Sequence, residues 1–294
     1  MFGKRILILV PHPDDEVVGC AAALGRARAE GAAIFALYLT HGCIERDVMW
    51  PWQRPFYDRH VARRFAEADA VARFLGIKQI GWQLRPARHL WRDMAAVQAE
   101  IQAAITAHAI DQLWVPAYEG GNPDHDALNA VASKISGVGF LNGSPPLAGG
   151  IKGGLVNVST PVSQPPPSPP ASGVGALPPI LEFAEYNFSG GKAQAQCFPQ
   201  PNGTEQVIAL TEAERATKRA ALALYKSEKA NLNYVGVERE CYRPLATYDY
   251  TVPPHKGTLW YSRFQWVPFR HPRVDFTNPM EVSVAISEFL QRAR

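Results

Sequence analysis

Cysteine is scarce in this chain of 294 residues: four, at positions 20, 43, 197 and 241, and none in a CxxC pair. That spacing excludes a disulfide framework and reads as isolated thiols in a reducing compartment. An excess of one charge is missing too. The formal net charge is +3, and Lys/Arg runs do not extend beyond about a pair, so nucleic-acid binding by a basic patch is not expected. No apolar stretch approaches transmembrane length. The short apolar run near the N-terminus leads into a histidine and acids where a secretory signal would need a small-residue cleavage site. The expectation is a soluble cytoplasmic protein. Its 47% hydrophobic and 19% charged residues suit a substantial core.

Periodic segments dominate the first half. Arg5 to Val10 is a continuous aliphatic run, as in a strand buried on both faces of a parallel sheet. Val17 to Ala29 has helical spacing and Gly31 stops it. The spacing predicts further strands over 33–39, 77–84 and 112–116, and helices over 60–75, 91–108 and 124–134. This alternation predicts an α/β fold: a doubly wound, Rossmann-like, mainly parallel sheet with helices on both faces. No GxGxxG follows the first strand, which discounts a nucleotide-binding version of that fold.

The character changes after residue 135. Residues 136–179 are crowded with Gly, Pro and Ser, including QPPPSPPASG at 164–173. Such composition favours extended, solvated chain. It reads as an insertion in a single domain spanning 1–294, either a passive surface loop or a lid. A strand-like run over 180–188 follows. A capping box at Thr211 and Glu214 opens a helix continuing to about Lys229. The tail from Glu240 is an irregular C-terminal extension rich in aromatics and prolines, closed by a short helix after Phe276.

Two polar segments carry the chemistry. PHPDDE (residues 11–16) leaves the first strand, and AYEGGNPDHDALNA (117–130) leaves the fourth. Ligands bind beyond the carboxyl ends of strands in open α/β sheets, so the two segments can share one crevice. Three consecutive acids repel one another unless something positive compensates. His12, Asp15 and His125 would make an open three-ligand zinc (Zn2+) site with water in the fourth position. Asp14 is then free to take a proton from that water. The alternative is that His12, Asp14 and Asp15 merely cap the helix that follows, and that His125 merely begins another.

PHPDDE after the first strand, joined to NPDHD, resembles the LmbE-like, or PIG-L, family of zinc-dependent de-N-acetylases. The resemblance implies His12, Asp15 and His125 as zinc ligands, Asp14 as general base, and an N-acetylated amino sugar of the N-acetylglucosamine type as substrate. Asn122 stands where the family usually has a histidine. An asparagine can donate to an oxyanion but cannot act as an imidazolium acid. Arg64-Phe-Ala-Glu67 followed by Leu75-Gly76 resembles the family's Arg-x-x-Glu…Leu-Gly helix, which implies that Arg64 faces the site and helps hold substrate. Lys218 to Ser227 is similar to a later family helix. The resemblance covers residues 4–135 and resumes from 180.

Three further residues are candidates for substrate contact, two of them with a plainer reading. Tyr118 lies in the second polar segment, where it could only pack the loop. His255 follows two prolines that hold the chain extended, and it could be a surface histidine. His41 ends the second strand at the same end of the sheet. The expected function is zinc-dependent removal of an N-acetyl group from an amino sugar in a glycan, glycolipid or glycoconjugate. The competing class is a metal-binding module that has lost turnover with the histidine.

Overall fold

The structure is a computed structural model that describes residues 2–137 and 177–292. Nine strands appear in it: β1 (Arg5–Val10), β2 (Ala33–Tyr38), β3 (Lys78–Trp82), β4 (Gln112–Pro116), β5 (Ile180–Phe183), β6 (Tyr186–Asn187), β7 (Gln194–Ala195), β8 (Gln206–Ala209) and β9 (Arg239–Pro244). Seven form one sheet in the order β3-β2-β1-β4-β5-β9-β8. The first five run parallel, while β9 is antiparallel to both neighbours. β6 and β7 make a separate antiparallel pair.

Six helices are described: α1 (Asp15–Ala29), α2 (Tyr57–Leu75), α3 (Met94–Ala107), α4 (Pro123–Ser136), α5 (Glu212–Leu224) and α6 (Pro279–Gln291). The pleat of β1 sorts them into two layers. Ile6, Ile8 and Val10 enter a core with residues of α1, α2 and α5. Leu7 and Leu9 enter the opposite core with residues of α3, α4 and α6. A strand buried on both faces must be apolar throughout, which is why RILILV reads as it does. This is the doubly wound α/β arrangement expected.

Several elements differ from the expectation. The run over 180–188 breaks at Ala184 and Glu185, which separate β5 from β6. β8 and β9 were not expected as strands. In β9, Glu240 and Arg243 are fully buried because each is ion-paired, Glu240 with Lys218 and Arg243 with Glu182. The helix opened by the Thr211–Glu214 capping box ends at Leu224, short of Lys229. The Pro/Gly/Ser-rich insertion lies outside the described residues apart from its edges. Among the described residues, no helix is long and apolar enough to cross a membrane.

The sheet order places β1 between β2 and β4, so the chain winds outward from β1 in both directions. The crevice beyond the carboxyl ends of β1 and β4 is therefore the switch point of the fold. Both polar segments open into it.

Candidate metal centre

Three donors meet in that crevice. His12 Nδ1 lies 3.2 Å from Asp15 Oδ2, His125 Nε2 lies 3.2 Å from the same oxygen, and the two imidazole nitrogens are 3.3 Å apart. All three residues are buried. Four ligands held tetrahedrally about 2.0–2.1 Å from a zinc ion stand roughly 3.3 Å from one another. The triangle has the right edge for three of them, and its nitrogen and carboxylate chemistry suits a borderline cation.

Each donor is aimed by its own surroundings. His12 Nε2 is 2.9 Å from Asp124 Oδ2, which leaves Nδ1 turned toward the centre. Asp124 is fully buried at the first turn of α4 and also accepts from the backbone N–H groups of Arg88 and Leu90. Asp15 opens α1 and accepts from the His12 N–H at 2.8 Å. His125 reaches the centre from the first turn of α4, whose cap is Asn122: its Oδ1 accepts from the Asp124 N–H at 2.9 Å, and Pro123 follows at N1. Burial pushes the Asp15 carboxyl up, but the two imidazoles outweigh that and hold it well below the ordinary carboxylate range. Burial pushes His12 down, yet Asp15 and Asp124 together raise it to about 10.

Asp14 stands beside the triangle with φ 134°, a conformation a non-glycine residue rarely adopts. Such backbone strain costs about 1–3 kcal/mol and clusters at functional sites. It is held from several sides. The Asp14 N–H donates to Glu16 Oε2 at 3.1 Å, and its carbonyl accepts from Val17 and Val18. Arg64 Nη2 lies 3.3 Å from its carboxylate. Burial raises the Asp14 carboxyl well above its usual range, against the pull of Arg64. Glu16, the third acid of the run, is fully buried and accepts from the Tyr38 and Tyr225 hydroxyls. Burial pushes it up to about 7.

Arg64 is enclosed and points at Asp14. It is 2% exposed, and its guanidinium is engaged by the Pro13 carbonyl, Asp14, Ser227 and Glu228. It reaches the site only through Asp14. Tyr118 also departs from its expected role: its hydroxyl donates to the Val252 carbonyl, and its ring packs against Tyr248 and Tyr250 in the core. His41 is buried, with Nδ1 accepting from the Cys43 N–H and Nε2 3.2 Å from the Tyr57 hydroxyl.

His255 belongs to the C-terminal extension and faces the second polar segment. Its Nε2 is buried without a partner, and a Cβ at Gly120 would lie 3.3 Å from it. Gly120 has φ 71°, and the N–H of Trp260 donates to its carbonyl at 2.9 Å. At Gly121 an added Cβ would sit 2.5 Å from the Tyr186 carbonyl oxygen. These glycines let β6 and the extension close onto the crevice. An aromatic wall results: Tyr186 lies 5.9 Å from the His125 ring, and Tyr234 and Trp260 lie 4.9 and 5.1 Å from Tyr186.

Sequence reasoning missed Asp124 and Glu185. Asp124 could have been noticed as the acid between Pro123 and His125, but only the fold shows that it faces His12. Glu185, between β5 and β6, gives no local signal at all.

Residues 7–136 match the family model described as PIG-L, GlcNAc-PI de-N-acetylase, and that span holds the whole triangle. Residues 7–136, less than half of the chain, carry the likeness to the PIG-L family. Among solved structures, a deacetylase of the teicoplanin biosynthesis pathway is 18% identical with a TM-score of 0.55, covering 82% of this chain and 97% of its own. The zinc-inhibited form of the teicoplanin deacetylase Orf2 is 16% identical with a TM-score of 0.53, over 82% and 97% of the two chains. The A40926 pseudoaglycone deacetylase Dbv21 gives 16% and 0.52, over 82% and 96%. At these identities the likeness establishes the fold, and it extends past the span matched by the family model into the C-terminal part. No curated protein matches the chain in sequence.

Proposed function

We propose that the protein is a zinc-dependent hydrolase that removes an N-acetyl group from an N-acetylated amino sugar in a glycan, glycolipid or glycoconjugate. The observation that carries this reading is the triangle of His12 Nδ1, Asp15 Oδ2 and His125 Nε2 with a strained, buried Asp14 beside it. The description of the matched family, a de-N-acetylase, supports the same bond and the same class of substrate.

His12, Asp15 and His125 would hold the zinc, which supplies Lewis-acid polarisation of the amide carbonyl and activation of water when bound. Asp14 takes the proton from the attacking water and later hands it to the leaving amine. Its raised pKa suits a group that must hold that proton between the two steps. Arg64 keeps the Asp14 carboxylate aimed while Glu16 holds its backbone. Asn122 has its Oδ1 committed to the helix cap, which leaves its Nδ2 to donate toward the developing oxyanion. His255 Nε2, buried beside Gly120 without a partner, is the second group that could carry a proton. Tyr234 and Trp260, 5.1 Å apart, would wall the substrate on this side of the crevice.

Asn122 in place of the usual histidine favours one second reading, a metal-binding module with little or no turnover. Acetate release from N-acetylglucosamine and its oligomers separates the two. Metal-free protein is reconstituted with zinc, cobalt or manganese, one equivalent at a time. The enzyme reading expects acetate only in reconstituted samples. Stoichiometric metal binding without acetate from any acetylated amino sugar would support the module instead.

A further inference from the structure

Three buried polar atoms beside the metal centre have no partner: His125 Nδ1 and both carboxylate oxygens of Glu185. His125 is fully buried and Glu185 is 1% exposed. His125 Nδ1 and Glu185 Oε1 are 4.0 Å apart. That separation is too long for a direct hydrogen bond. Buried polar groups are almost always satisfied, and an unsatisfied carboxylate is among the costliest exceptions. Two such groups facing each other need an explanation.

We propose that Glu185 is the positioning residue for His125, accepting its Nδ1–H so that Nε2 is locked toward the metal. The inference rests on the metal-site reading given above. Its geometry follows from what is fixed and what is free. The backbone of Glu185 is pinned: its N–H donates to Glu119 Oε1 at 2.7 Å, and its carbonyl accepts from the Gln196 N–H at 2.9 Å. Glu119 comes from the same segment that delivers His125, so the two residues are tied to a common frame. The Glu185 carboxylate lies against Asp15 and His125 with no donor on either oxygen, and a rotation toward Nδ1 would close the 4.0 Å gap. The other imidazole already has this arrangement, since Asp124 takes His12 Nε2 at 2.9 Å. Metal-bound histidines almost always donate their second N–H in this way, which fixes the tautomer and raises ligand basicity.

The test compares zinc affinity, measured by competition with a chromophoric chelator, with the thermal stability of the metal-free protein. Glu185→Met fills the same volume without an acceptor. It should bind zinc about 10–100-fold more weakly, while its metal-free form melts no lower than wild type because the unsatisfied carboxylate is gone. Glu185→Gln keeps an acceptor oxygen and should fall between, and it serves as the variant if Glu185→Met does not fold. In the zinc-loaded protein, the His125 Nδ1 proton should appear as a slowly exchanging imidazole resonance that Glu185→Met loses. Unchanged zinc affinity in both variants would overturn the inference while leaving the metal site intact. An affinity loss matched by an equal loss of metal-free stability would also overturn it, since that marks a merely structural role. A wild type that binds no zinc would overturn both this inference and the reading beneath it.

Discussion

Asp124 Oδ2 sits 2.9 Å from His12 Nε2, and the same carboxylate collects the N–H groups of Arg88 and Leu90. One side chain thus aims an imidazole at the candidate metal centre and ties the loop before α3 to the start of α4. Asp124→Asn keeps an acceptor oxygen for one partner but brings an amide donor against the others. We expect zinc affinity to fall about 10–100-fold, read by chelator competition. Asp124→Ala should also lose stability, by about 1–3 kcal/mol for each N–H left buried without an acceptor, read by denaturant melts. Full zinc affinity in both variants would show that His12 needs no such support.

Arg64 touches Asp14 from a buried position with both Nη groups engaged, so its loss should slow turnover rather than weaken substrate binding. Arg64→Met is expected to lower kcat at least tenfold with KM nearly unchanged. It should also leave Asp14 without the opposite charge that restrains its carboxyl. The pH–rate profile of the variant should then shift upward, because a carboxyl that loses a cationic neighbour binds its proton more tightly. A rise in KM with kcat intact would restore the direct substrate contact first expected.

Asn122 does two jobs that substitution can separate. Its Oδ1 caps α4, and removing such a cap costs about 0.5–2 kcal/mol. Asn122→Asp keeps the cap and should keep the stability, but it replaces the amide donor with an acceptor. If the donor serves the oxyanion, both Asn122→Ala and Asn122→Asp lose about 10²–10³ in kcat, while only Asn122→Ala melts earlier. Equal activity in all three proteins would remove Asn122 from the chemistry and leave it as a cap.

His41 gives the fold a pH dependence of definite sign. Burial holds its imidazole down to about 4, below the usual 6.5. The unfolded chain therefore binds a proton that the folded protein refuses between those values. This contribution is complete above about pH 6.5 and is lost as pH drops toward 4, by up to about 1.4 kcal/mol per unit. Glu16, pushed up to about 7, contributes the opposite sign in both proteins, so the difference in stability between wild type and His41→Gln across that range should carry the slope. An identical slope in the variant would assign the acid sensitivity to other groups.

Much of this was legible from residues alone, for physical reasons that also mark the limit. RILILV had to be a doubly buried strand, and the polar run after it had to lie at a carboxyl end. His12, Asp15 and His125 are therefore readable as neighbours from local spacing and sheet logic. Arg239–Pro244 was not readable as a strand, since its buried Glu240 and Arg243 look like surface residues until Lys218 and Glu182 arrive from elsewhere. Tyr118 was placed in the crevice because its segment leaves β4, but its side chain turns toward Val252 in the extension. Asp124 and Glu185 act only through what the tertiary fold sets opposite them, which no spacing encodes.

The division of labour between two adjacent acids is the centre of the account, and one paired measurement tests it. Asp14→Asn and Asp15→Asn are purified alongside wild type, and each is assayed for bound zinc and for acetate released from an N-acetylated amino sugar. Asp14→Asn should retain about one zinc per chain and lose roughly 10²–10⁴ in turnover, whereas Asp15→Asn should lose metal and activity together. Equal zinc content in the two variants, whether full or empty, would contradict the assignment of Asp15 to the metal and Asp14 to the proton.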